Sequence, residues 1–232
     1  MAVPACRDGW ITQSPSEQIL AALPPSTVAR LETRPGAYIH KGEVLMRVRP
    51  TPRDAEKVRD RLEATVEISD SRTMQQDVDF ALRQLVDVAL RALSAAINDP
   101  TIAAEVVLRL GSVLRVLLTT ESPSLSVCGA EDRVLQRPWI LSADEYIEHA
   151  FEQIRQAGPT QLHVASTLAR VLRMLVEHVR SAGRPEHIPA LQHQLDMLVD
   201  AIEAQPGLHP EDVRRFRAVA RSATDPAEHR IQ

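Results

Sequence analysis

Residues 77–103 read DVDFALRQLVDVALRALSAAINDPTIA. Val78, Leu82, Leu85, Val86, Leu93 and Ile97 fall at helical spacing. Just upstream, Thr73 and Gln76 form a T-x-x-Q pattern, which predicts a capping box opening a helix that runs to about Ile97. The following Asn98-Asp99-Pro100 is a compact break. Asn98 suits a left-handed C-terminal position, Asp99 an N-cap, and Pro100 the first residue of a second helix. The first helix is apolar on nearly every side, which places it in the middle of a bundle. This helix-break-helix unit sets the class of everything after residue 73.

Downstream, Ala103, Val107, Leu110 and Leu114 stripe the second helix. Ser142 with Glu145 is a second capping box, and Pro159, Pro189 and Pro210 stand at the starts of three further helices. Residues 121–141 interrupt the bundle with a small β-hairpin around Gly129–Asp132, and residues 224–232 are expected to fray. Upstream, strand-like pieces at Gly9–Thr12, Thr27–Glu32, Ala37–His40 and Glu43–Val48 are separated by turns at Arg34-Pro35-Gly36 and Lys41-Gly42. The expectation is an α+β, mainly α protein. It has a β-rich, barrel-like module at 1–50, a connecting helix and strand at 51–72, and a bundle of about six helices at 73–232 with the hairpin insertion at 124–138.

The 232 residues carry 27 Lys plus Arg against 31 Asp plus Glu, a net charge of −4, which argues against a dedicated nucleic-acid binder. Two cysteines, Cys6 and Cys128, without a CxxC or a Cys/His cluster, exclude a disulfide framework and a structural zinc site. No GxGxxG or GxxxxGK[ST] pattern supplies a phosphate loop. No apolar run approaches the ~18 residues of a membrane span, and the start lacks a secretory signal. The reading is a cytoplasmic, soluble chain with no cofactor and no metal. Ser94 and Cys128 are the nucleophile candidates, but neither has a G-x-S-x-G setting or a local base. Glu145 and His149 lie one turn apart without the paired Glu-x-x-His motifs of a di-iron bundle. In the last helix, Arg214, Arg215, Arg217 and Arg221 form a basic face suited to an anionic membrane surface.

One constellation stands out on the first long helix. Asp79, Arg83, Asp87 and Arg91 alternate in sign at i,i+4 steps, with Gln84, Asn98 and Asp99 nearby. Three readings stay open: a solvated charge ladder, buried cross-helix ties reaching elements such as Arg155, or a polar pocket for an anionic or zwitterionic ligand, which arginine forks suit.

Three strings carry a family resemblance. Arg72-Thr73 and Gln76-Asp77 leading into Phe80–Ala103, AFEQIRQAG (Ala150–Gly158), and RPGAYIHKGEVL (Arg34–Leu45) together resemble the bacterial predicted membrane proteins of domain of unknown function 2254. The resemblance spans about residues 9–180. It implies that Arg83, Asp87, Arg91, Asn98, Asp99 and Arg155 match recurrent polar positions, without implying an activity. It also implies membrane-spanning helices in relatives, which this chain lacks. The expected function is a non-catalytic regulatory or assembly module, working through a protein partner or self-association, with peripheral membrane association in reserve. The alternative is a ligand-binding domain or enzyme built on Arg83, Asp87, Arg91 and Asn98.

Overall fold

The structure is a computed structural model that describes residues 1–221; the stretch 224–232 expected to fray lies outside them. The chain divides into two compact units. The first comprises residues 1–81 and 122–141, the second residues 82–121 and 142 onward.

The first unit holds β1 (Ala2–Pro4), β2 (Gly9–Gln13), α1 (Ser16–Ala22), β3 (Val28–Leu31), β4 (Tyr38–Ile39), β5 (Val44–Arg49), α2 (Ala55–Glu63), β6 (Glu67–Ser69), β7 (Ser126–Cys128) and β8 (Val134–Gln136). The turn-bounded runs read from sequence are strands, and β1 is an addition that sequence did not signal. They form two sheets, β1-β5-β3-β8-β7 and β4-β2-β6, in place of the expected barrel. Strands this short stop at their turns before a single sheet can curl and close. The hairpin β7-β8 joins the five-stranded sheet through a parallel pairing of β8 with β3. Glu131 and Asp132 both take positive φ in its turn, as a primed turn requires. Val3, Leu31, Met46, Val48 and Leu135 from the sheet meet Ile19 and Leu62 from α1 and α2 in one buried core.

The second unit takes most of α3 (Val78–Leu93), then α4 (Pro100–Leu117), α5 (Ala143–Ala157), α6 (Leu162–Ser181), α7 (Ile188–Glu203) and α8 (Pro210–Arg221). The Asn98-Asp99-Pro100 break forms as read. Asn98 has φ 48°, and the Asp99 carboxylate accepts from the Thr101 and Ile102 amides at 3.0 and 3.1 Å. Ser142 and Glu145 close their capping box. The upstream box does not form. α3 starts at Val78, and Asp77 caps it by accepting from the Phe80 amide at 3.1 Å. Gln76 instead accepts from the Ser14 amide, so a tertiary bond outcompetes the local one.

α3 is not the central helix. It buries Leu82, Val86, Ala89 and Ala92 along one face and leaves Val88 exposed. The middle of the bundle is α6, whose Val164, Leu168, Leu172, Leu175 and Val179 are buried and which packs against α4, α7 and α8. Gly111 on α4 permits that packing, since a Cβ there would come within 2.6 Å of Val171.

Candidate functional site

The charged stripe of α3 is divided between two environments. At its start Asp79 is buried, and Arg83 one turn on is half-buried. Farther along, Gln84, Asp87 and Arg91 lie on the exposed side of the helix, and Asn98 is exposed beyond its end. Four residues advance 400° around a helix of 3.6 residues per turn, so an i,i+4 stripe drifts about 40° per step. Across three steps that drift carries the stripe from a buried side to an open one. Asn98 accepts from the Gln161 side chain at 3.0 Å, and Asp99 is occupied as the α4 cap. Arg155 is buried on α5. Its Nε donates to the Gln194 side chain at 3.2 Å, while its Nη2 has no partner among the described residues. Asp87, Arg91 and Asn98 therefore share solvent exposure, whereas Asp79 and Arg155 are each buried in a different unit.

The densest polar arrangement of the first unit is centred on a residue to which sequence gave no role. Arg72 donates from Nε to Asp77 at 2.6 Å and from Nη2 to Asp79 at 3.1 Å. Both carboxylates are almost wholly buried, at 3% and 2% side-chain exposure, so they are held out of water beside the Arg72 guanidinium. The guanidinium also sits 5.4 Å from the Trp10 ring centre and 5.1 Å from that of Phe80, within cation–π range. Burial acts against its charge, but the hydrogen bonds and proximity of Asp77 and Asp79 more than offset it, so its pKa is raised. Gly36 closes the arrangement. Its φ is +83°, and a Cβ there would lie 2.2 Å from an Asp77 carboxylate oxygen. Asp77 thus binds Arg72, caps α3 and excludes a side chain at position 36 of the Arg34-Pro35-Gly36 turn. Arg72, Asp77 and Gly36 all fall within the strings that carry the family resemblance.

This arrangement is a structural joint. Ser94 donates its hydroxyl to the Arg91 carbonyl at 2.7 Å, and Cys6 and Cys128 are exposed free thiols. Among the described residues no three His, Cys, Asp or Glu side chains come together as a metal site. The basic face of α8 is largely paired. Arg214 and Arg215 contact Glu211, and Arg217 binds Glu203 at 2.6 Å, with its pKa raised by that hydrogen bond.

A different part of the second unit presents apolar surface. On α4, Val113 and Val116 lie one turn apart on an outward side with 38% and 67% of their surface exposed, and Ile102 lies on the same side at 47%, separated from them by the exposed Glu105–Arg109 ion pair. The opposite face of the same helix buries Ala103, Val107, Leu110 and Leu114.

Comparison with known proteins agrees with the strings quoted above. The model of the family described as predicted membrane protein (DUF2254) matches residues 1–174. The chain is 34% identical over 141 residues to Uncharacterized protein Rv1290c of Mycobacterium tuberculosis and to Uncharacterized protein Mb1321c of Mycobacterium bovis. In each case the match covers 60% of this chain and 26% of the relative, so the chain spans about a quarter of the length of the curated relatives it matches. No solved structure matches. Among the described residues no helix is long and apolar enough to cross a membrane. The match over residues 1–174, about three quarters of the sequence, places this chain in the DUF2254 family of predicted membrane proteins.

Proposed function

We propose that the chain is a non-catalytic, cytoplasmic assembly module that associates with a protein surface, a second copy included, through the outward face of α4. The observation carrying this reading is the exposed pair Val113 and Val116, one turn apart on a helix whose other face is already packed, with Ile102 farther along the same side. Contiguous exposed apolar residues mark interaction surfaces, whereas single scattered ones do not. The charged residues tested for chemistry support the same side. Asp77, Asp79 and Arg72 hold one another, Asp99 caps a helix, and Asp87 and Arg91 face water. The ligand-binding alternative built on Arg83, Asp87, Arg91 and Asn98 has no comparable support.

Sedimentation equilibrium of the purified chain, with a pull-down on the full-length protein, tests the reading. The expected result is reversible association, or retention by a protein partner, weakened at least about tenfold by Val113→Glu with Val116→Glu. A strict monomer that retains no partner would refute it.

A further inference from the structure

The five-stranded sheet of the first unit has one buried face and one exposed face among the described residues. Ala29, Leu31, Met46, Val48 and Leu135 line its inner face over α1 and α2. The outer face carries an unbroken row in register: Ala2 opposite Arg47, Arg47 opposite Arg30, Arg30 opposite Gln136, and Gln136 opposite Ser126. Arg49, two residues beyond Arg47 on the same face, stands opposite Val28 in the adjoining row. Arg30, Arg47, Arg49 and Gln136 thus converge on a cleft of about 400 Å³.

Two arginines placed directly opposite one another across a pair of strands repel. Here Glu32 relieves part of that repulsion. It accepts from Arg30 Nη1 at 2.9 and 3.0 Å and lies 3.2 Å from Arg47 Nε, and only 17% of its side chain is exposed. One carboxylate among three guanidinium groups leaves a local charge of +2, on a chain whose net charge is −4. The Arg49 side chain has no hydrogen-bond or ion-pair partner among the described residues. Glu32 also fixes the Arg30 and Arg47 heads while engaging only Nη1 of one and Nε of the other, so a preorganised fork of donors remains. Planar guanidinium groups with free N–H pairs favour anions with two or more oxygens.

We propose that this sheet face is a binding site for a phosphate-bearing anion, held by Arg30, Arg47 and Arg49 with the Gln136 amide as a neutral donor. The phosphate belongs either to a small soluble molecule or to a lipid headgroup, and the test separates the two. Isothermal titration at low ionic strength uses inorganic pyrophosphate for the first source. Co-sedimentation with phosphatidylglycerol/phosphatidylcholine vesicles, against pure phosphatidylcholine, serves the second. The variants are Arg47→Gln and Arg49→Gln, with Arg109→Gln in the second unit as a control of equal charge change. The Arg49 side chain makes no internal bond among the described residues, so its variant keeps the fold intact even if Arg47→Gln does not.

Saturable pyrophosphate binding, weakened about tenfold by either sheet variant and unchanged by the control, supports the site and assigns it to a soluble phosphate. The same mutational pattern seen only with phosphatidylglycerol vesicles supports it and assigns it to a headgroup. No saturable response to either probe, or binding that Arg49→Gln leaves intact, overturns the proposal.

Discussion

Arg72 and Arg91 belong to one charged segment of the chain, yet they meet opposite surroundings. Arg72 is held between two buried carboxylates and two aromatic rings in the first unit, whereas Arg91 lies on the exposed side of α3 in the second. The difference shows that charge order along a helix does not set what a charge is worth. A buried ion pair that loses one partner leaves an uncompensated charge out of water. An exposed charge that disappears leaves solvent in its place and changes little. The molecule therefore concentrates its electrostatic dependence at the Arg72 joint and spends the rest of the stripe on surface.

That contrast can be broken in a graded series, because both tryptophans, Trp10 and Trp139, belong to the first unit. Tryptophan fluorescence during urea unfolding then reports on the joint, and far-UV circular dichroism is dominated by the bundle. The largest effect is expected from Asp77→Ala, which removes both the main Arg72 ion pair and the α3 cap. It should lower stability by about 3–5 kcal/mol in the fluorescence transition. Gly36→Ala comes next, at about 1–3 kcal/mol, because it forces a side chain into a left-handed backbone and against the Asp77 carboxylate. Asp99→Ala should lose about 1 kcal/mol, seen in the helical signal and not in the fluorescence. Arg155→Met sharpens the comparison from the other side. This guanidinium is buried, bonded to an amide and to no carboxylate among the described residues, so an apolar replacement of similar length should be neutral or stabilising by about 1 kcal/mol. Asp87→Asn, at the exposed end of the scale, should stay within about 0.5 kcal/mol.

Much of the architecture was legible because local signals and tertiary structure agreed. Asn98-Asp99-Pro100 and Ser142–Glu145 name their own helix ends, and proline and glycine bound the short strands. Where they disagreed, sequence misled. Thr73 and Gln76 match a capping box, but Gln76 is bonded to Ser14, 62 positions away. The apolar girth of α3 suggested a central helix, although periodicity cannot report which helix its neighbours surround, and α6 takes that place. The Arg30–Arg47–Gln136 row was invisible for the same reason. Alternation along β3 and β5 puts arginine on one face of each strand, but only the register brings them side by side. The Arg72 joint needed three segments to meet, around Trp10, Gly36 and Asp77, and no local pattern encodes such a meeting.

The most direct test is a paired urea unfolding of Arg72→Met and Arg91→Met, each followed by both tryptophan fluorescence, which reports on the first unit, and far-UV circular dichroism, which reports on the bundle that holds Arg91. The two substitutions remove the same group and leave the same side chain. Arg72→Met should shift the transition by about 3–5 kcal/mol, and Arg91→Met by no more than about 0.5 kcal/mol. Equal shifts, or a larger one for Arg91→Met, would contradict the division between joint and surface on which this account of the molecule rests.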